Sequence, residues 1–281
     1  MTTDDVRCVL LKIHGIGNQR PEWSGDFDAA LTSQLTALEL AAFSHQSVWW
    51  ADLSRLPGPP AAAGLAPTGH TSSTSTMQAY VDYARYLMSH PASAASAITD
   101  LGSLIGNLVN NVMDLQDGLV SLADHVTDVA NYVGNNGIRL SVQQRLMASL
   151  FAAQAAHPQA ALILASHSQG TIISYDVLRL LARQLPALKV WVTMGCPLGW
   201  YLGGASWGHN EIDLPGTVRW INLYDRNDLV GRDLELLAQW MPTVPEDIDV
   251  DNVGLGLHPH DHWRNPVVVA QYVGLIRQAL G

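Results

Sequence analysis

One serine, Ser168, separates two apolar patterns of different period, and this change of period constrains the fold more than any other feature. Residues 162–165 are consecutively apolar, over a run short enough for a buried strand. After the serine, apolar residues recur at helical spacing: Ile172, Ile173, Val177, Leu178 and Leu181. A tight turn needs small residues two positions either side of its apex, and here these are Ser166 and Gly170. The segment therefore predicts a strand, a sharp turn with Ser168 at its apex, and a helix.

Such a turn suits a nucleophile. A serine hydroxyl is weakly nucleophilic and needs a base to accept its proton. The turn would hold the Ser168 side chain clear of the backbone, where a histidine and a substrate can both reach it. The amides and the positive dipole end of the following helix would stabilise a developing oxyanion. The alternative interpretation is a loop rich in serine and glycine that only turns the chain.

Strand and helix patterns alternate along most of the sequence. Strands are predicted over 6–13, 47–51, 189–194 and 218–224, in addition to the one before Ser168. Helices are predicted over 27–43, 141–156 and 266–280. This alternation predicts an α/β fold with a mainly parallel sheet covered by helices on both faces. Catalytic groups in such sheets lie beyond the carboxyl ends of the strands.

Composition narrows the classes of function. With 281 residues, 48% of them hydrophobic and 14% charged, the chain can bury a large core, and we expect a single domain over 1–281. A formal net charge of −10 disfavours nucleic acid as a partner. Two cysteines, Cys8 and Cys196, define neither a disulfide framework nor a zinc site. Together with an acidic N-terminus unlike a signal peptide, they lead us to expect a cytoplasmic protein.

Residues 53–140 form an irregular and then helical region that the predicted sheet does not need, and we interpret it as an insertion. Its helical part is amphipathic but interrupted by glycine and asparagine, and it is too polar to span a bilayer. The region could be a lid, a dimer seam, a membrane-surface helix or a helical subdomain packed on the core. Peripheral membrane contact stays open, and the sequence does not specify an oligomeric state.

A serine nucleophile requires a histidine, and the histidine requires an acid. Asp225 and Asp228 follow the predicted strand over 218–224. We favour Asp228, because Asp225 lies beside Arg226, where a turn cap or salt bridge is the simpler role. The candidate bases form a cluster near the C-terminus: His258, His260 and His262. This cluster could instead bind a metal, but Pro259 disturbs the regular strand that such a ligand set needs.

Four segments resemble lipase-like bacterial serine hydrolases of the α/β-hydrolase superfamily, which carry an HGIGNQ loop and an HSQG turn. The resemblance lies in residues 14–19, 167–171, 222–230 and 260–263. Related sequences often have Asp-Pro-Val after the acid strand and His-x-x-Tyr at the histidine, where this chain has DLV at 228–230 and HDHW at 260–263. The resemblance implies an α/β-hydrolase fold with no cofactor and no metal. It also implies a triad and two oxyanion-hole amides: Ser168, Asp228 and His260, with Ile16 and Gln169.

The function that this resemblance implies is hydrolysis of carboxylic esters through a covalent acyl-enzyme. We expect a small-molecule acyl ester or a lipid-like substrate, with Trp200, Tyr201 and Trp207 as candidate walls of its pocket. A thioesterase or acyltransferase could use the same triad. A second alternative is a catalytically silent hydrolase fold that binds a protein through its insertion.

Overall fold

The computed structural model describes residues 6–15, 20–40, 42–53, 132, 135–198, 214–228, 230–231, 233–234, 243–252 and 260–281. Most of the predicted insertion, the aromatic segment with Trp200 and Trp207, and His258 lie outside these residues. The oxyanion candidate Ile16 also lies outside them.

The described strands form one sheet in the order β2-β1-β3-β4-β5-β6, and every neighbouring pair is parallel. Their bounds are β1 Cys8–Ile13, β2 Phe43–Val48, β3 Ala161–His167, β4 Leu188–Met194, β5 Arg219–Tyr224 and β6 Glu246–Asp249. The chain leaves β1 towards β2 on one side and later returns to β3 on the other side. This reversal creates a crevice between the ends of β1 and β3, where α/β sheets bind their ligands.

Helices cover both faces of the sheet. Their bounds are α1 Gly25–Ala37, α2 Asn136–Ala156, α3 Gln169–Leu181 and α4 Pro266–Leu280. The side chains of Val9 and Leu11 face α2 and α3, whereas those of Cys8 and Leu10 face α1 and α4. The predicted α/β fold with a mainly parallel sheet is therefore confirmed. Among the described helices, none combines the length and the apolar character that crossing a membrane requires.

Asparagine side chains begin two of these helices. The side chain of Asn135 accepts hydrogen bonds from the backbone amides of Gly137 and Ile138 at the start of α2. Asn265 caps α4 in the same way through the amide of Val267, and Pro266 occupies the first helical position.

The two edge strands depart from the sequence predictions. The predicted strand over 47–51 is wrong in position, since β2 runs from Phe43 to Val48, and the helix predicted over 27–43 ends at Ala37. Strand β6 was not predicted as a strand at all. Both edge strands carry exposed polar residues, so they lack the apolar pattern that reveals a buried strand.

Candidate active site

Ser168 lies at the apex of a sharp turn between β3, which ends at His167, and α3, which begins at Gln169. Its backbone adopts φ 53° and ψ −127°, a conformation that is strained for any residue other than glycine. The Ser168 amide donates to the carbonyl of Met194 at 2.9 Å, and its own carbonyl accepts from the Thr171 hydroxyl at 2.7 Å. The surrounding structure thus holds the buried serine in the predicted turn.

The loop after β1 packs directly against this turn. A Cβ atom on Gly170 would lie 2.5 Å from the carbonyl oxygen of His14, and one on Gly15 would lie 2.5 Å from the Cβ of Ser168. At the other small position, the Ser166 hydroxyl accepts from the indole N–H of Trp191 at 3.1 Å and bonds the Ser174 hydroxyl at 2.7 Å. Serine at this position therefore supplies a hydrogen-bond acceptor for the buried indole N–H of Trp191.

His14 shapes the loop rather than presenting a ring to the crevice. Its Nε2 accepts a hydrogen bond from the backbone amide of Trp50 at 3.1 Å, and its ring stacks on the ring of Trp50 with the two centroids 4.9 Å apart. Since Nε2 is an acceptor, Nδ1 carries the proton and donates to the carbonyl of Gly15 at 3.0 Å. This buried histidine fixes the backbone that lies against Ser168.

Asp228 and His260, 32 residues apart in sequence, form a close pair. The Nδ1 atom of His260 lies 2.7 Å from Oδ2 of Asp228, whose Oδ1 accepts from the backbone amide of Val230 at 2.8 Å. Asp228 is buried and His260 is half-buried. Asp225 instead caps its own turn, accepting from the amides of Asn227 at 2.6 Å and of Asn252.

The Asp228–His260 pair lies on the same edge of the sheet as Ser168. Gly195 follows β4 with φ +52°, and a Cβ atom on it would lie 2.6 Å from Cε1 of His260 and 3.2 Å from Oδ2 of Asp228. The ring of His167, which directly precedes Ser168, lies 4.8 Å from the ring of His260. Four segments that are distant in sequence, those of Ser168, Gly195, Asp228 and His260, therefore converge at this edge of the sheet.

Sequence reasoning missed Gly195 and Gly231. A Cβ atom on Gly231 would lie 2.0 Å from the carbonyl carbon of Gly195, so the two backbones are in contact beneath His260. A glycine placed directly after an apolar strand, like Gly15 after β1, was the available signal for Gly195.

Burial controls the protonation of the site. It lowers the pKa of His260 well below the usual 6.5, and the charge of His262 acts in the same direction. His260 is therefore neutral at pH 7, the form that accepts a proton. Burial also raises the pKa of the Cys196 thiol to about 12, so this neighbouring group is not a thiolate nucleophile.

Nitrogen atoms of His167, His260 and His262 lie within 4.8 Å of one another, a spacing that a metal ion could use. Their hydrogen bonds supply another explanation for the cluster. Nε2 of His167 and Nδ1 of His262 both face the backbone carbonyl of His260, at 2.7 and 3.1 Å. Nδ1 of His260 is occupied by Asp228.

No protein-family model and no curated protein matches the chain. A solved structure from Xanthomonas campestris pv. campestris, assigned to the alpha/beta superfamily of hydrolases, is 16% identical, with a TM-score of 0.43 over 97% of this chain and 99% of that one. A cutinase-like protein from Cryptococcus sp. is 14% identical, with a TM-score of 0.42 over 98% of this chain and 95% of that one. The α/β class follows from the strand order and parallel pairing of this chain itself.

Proposed function

We propose that the chain is a serine hydrolase of the α/β-hydrolase type that cleaves carboxylic esters, with Ser168 as nucleophile, His260 as base and Asp228 as acid. The observation that carries this proposal is the 2.7 Å contact between Nδ1 of His260 and Asp228, on the same edge as the strained serine turn. The three residues occur in the order serine, acid, histidine, which is the order of this superfamily.

The pair supplies a base of defined tautomer. Because the Asp228 carboxylate accepts the Nδ1 proton of His260, Nε2 is the nitrogen that accepts a proton from Ser168. The carboxylate then stabilises the imidazolium that forms. Its second oxygen is held by the amide of Val230, so the carboxylate cannot rotate away freely.

The reaction proceeds in two acyl transfers. Ser168 attacks the ester carbonyl as His260 takes its proton, and the amides of Gln169 and Ile16 stabilise the oxyanion. His260 protonates the leaving alcohol, which departs and leaves an acyl-enzyme. Water then attacks the acyl carbon, with His260 again as base, and the acid is released with Ser168 regenerated. No step requires a cofactor.

We propose a neutral acyl ester or lipid-like molecule as the substrate. Trp23 and Trp263 pack edge to face with centroids 4.9 Å apart, and Trp263 lies 5.8 Å from the ring of His167. Aromatic side chains therefore lie next to this part of the candidate site, which supports an apolar acyl group. The net charge of −10 works against anionic substrates.

A fluorophosphonate probe tests the proposal, because it phosphonylates only an activated serine. We expect labelling of the wild type, its loss in Ser168→Ala, and its retention in Ser174→Ala, a control that changes another buried serine close by on α3. A panel of esters and thioesters of varied acyl length then separates an esterase from a thioesterase. Absence of labelling in well-folded wild type contradicts the proposal and favours a silent binding fold.

A further inference from the structure

The backbone carbonyl of His260 receives three N–H donors, which is more than a carbonyl normally attracts. Nε2 of His167 lies 2.7 Å from it, and the backbone amide and Nδ1 of His262 each lie 3.1 Å from it. The amide contact only closes a tight turn between neighbouring residues. The two imidazole contacts are side-chain bonds to the main chain of the candidate base.

These contacts define the tautomers of both flanking histidines. A carbonyl oxygen only accepts hydrogen bonds, so His167 must carry its proton on Nε2 and His262 on Nδ1. His262 is completely buried, and its Nε2 makes no hydrogen bond to any residue that the structure describes.

We propose that His167 and His262 are positioning residues that fix the main chain of His260 and thereby the reach of its imidazole towards Ser168. The inference rests on the proposed function and deepens it. His167 joins the two parts of the site most directly, because it precedes Ser168 in the turn and bonds a residue 93 positions away. Any movement of the His260 segment relative to the serine turn stretches this bond.

Neither residue acts on the substrate in this scheme. His262 is buried beneath His260, with the two rings perpendicular and 6.2 Å apart. His167 directs Nε2 at the backbone carbonyl of His260, whereas the bond to Asp228 is made by the His260 ring. The effect on catalysis is geometric, and displacement by about 1 Å is enough to lower a rate by up to about 100-fold.

The test compares substitutions that remove each donor with substitutions that keep one. His167→Phe and His262→Leu remove the donor and keep an apolar side chain of similar bulk. His167→Gln and His262→Asn keep an amide N–H near the lost Nε2 and Nδ1 atoms. His157→Phe and His157→Gln, at the end of α2 away from the site, are matched controls.

Two readouts are measured on folded protein: steady-state hydrolysis of the best ester from the panel, and the proton NMR signal of the Nδ1–H of His260. We expect the donor-removing variants to lose about 10-fold in kcat, the effect of one lost neutral hydrogen bond, with KM little changed. The amide variants should recover most of the rate. The NMR signal should shift or broaden only where the donor is removed.

The outcomes separate the two proposals. If the wild type is not labelled by fluorophosphonate, the proposed function fails, whereas the NMR signal still tests the positioning of His260. If the wild type is labelled, and His167→Phe and His167→Gln give equal kcat values and equal NMR signals for the Nδ1–H of His260, the positioning role is overturned. Should His167→Phe fail to fold, the same comparison between His262→Leu and His262→Asn decides.

Discussion

At the scale of single residues, the site depends on positions that exclude a side chain. Gly15 touches Ser168, Gly170 touches the loop after β1, and Gly195 lies under the contact between His260 and Asp228. At each of them a Cβ atom would lie within 2.7 Å of another heavy atom, closer than real contacts allow. These close approaches let segments from three strand ends meet in one small volume.

Gly195→Ala should disable the site. The new methyl group would lie 2.6 Å from His260, and φ +52° is unfavourable for alanine, so we expect a loss of at least about 10-fold in kcat/KM. Gly274→Ala is the matched control, since its Cβ would meet nothing within 4 Å and α4 should gain up to about 1 kcal/mol. Kinetics and urea unfolding of both variants check this, and equal activity would contradict it.

The proposed role of His260 as base predicts a pH dependence of hydrolysis. Burial lowers the pKa of His260 below 6.5, and only its neutral form accepts the serine proton, so kcat/KM should fall on acidification with a midpoint below pH 6.5. In the same range the unfolded chain binds a proton that the folded chain does not, so this residue's contribution to stability is lost as pH falls below 6.5. An acid limb centred above pH 6.5 would contradict the lowered pKa of His260.

At the scale of elements, a row of polar side chains crosses four neighbouring strands one layer below the site, and all of them except the partly exposed Asp247 are buried. Ser166, Thr193, Asn222 and Asp247 are paired in register across β3, β4, β5 and β6. The Thr193 hydroxyl accepts from the Trp220 indole at 3.1 Å and donates to Asn222 at 3.0 Å, and Asn222 donates to Asp247 at 2.7 Å. The row ends at the backbone amide of Leu234, 2.9 Å from Asp247.

Replacing Asn222 with leucine should destabilise the fold by about 1–3 kcal/mol, because the Thr193 hydroxyl and the Asp247 carboxylate would each lose one hydrogen bond inside the protein. Arg219→Ala on the same strand is the control. It removes an exposed pair with Glu246 and an exposed hydrogen bond to Gln278, and exposed contacts of this kind contribute about 1 kcal/mol or less. Urea unfolding of both variants measures the difference, and equal losses would mean that the polar row adds little.

At the scale of the whole molecule, the sheet separates two apolar layers, and each layer contains one cysteine. Cys8 lies in the layer of α1 and α4, and Cys196 lies in the layer of α2 and α3. Burial raises the pKa of each thiol to about 12. The two residues therefore report separately on the opening of each face.

Both thiols should be inert to iodoacetamide at pH 8 in the native protein, since neither is exposed and neither is ionised. If the sheet and its two layers unfold as one cooperative unit, both should become reactive at the same urea concentration. Mass spectrometry of the alkylated peptides measures each one separately. Reaction of Cys196 well before Cys8 would show that the α2–α3 layer opens independently.

The local pattern of the sequence was sufficient for the central strands and the flanking helices. Strands β1, β3, β4 and β5 are mostly buried, so apolar residues dominate each of them, and α4 was predicted with its observed bounds. The edge strands β2 and β6 were misplaced or missed because water, rather than apolar packing, contacts much of their surface. For them the partner strand supplies the stabilising hydrogen bonds, and a partner distant in sequence leaves no local pattern.

For the site, local patterns were enough to locate a serine between a strand and a helix and a short set of candidate acids and histidines. The folded chain selects among them: Asp228 contacts His260, Asp225 caps its own turn, and Nδ1 of His262 contacts the backbone carbonyl of His260. The physical reason is that a contact between residues 32 or 93 positions apart depends on how the strands are ordered and how closely glycine backbones approach. The residues next to each contact in sequence specify neither the strand order nor these close approaches.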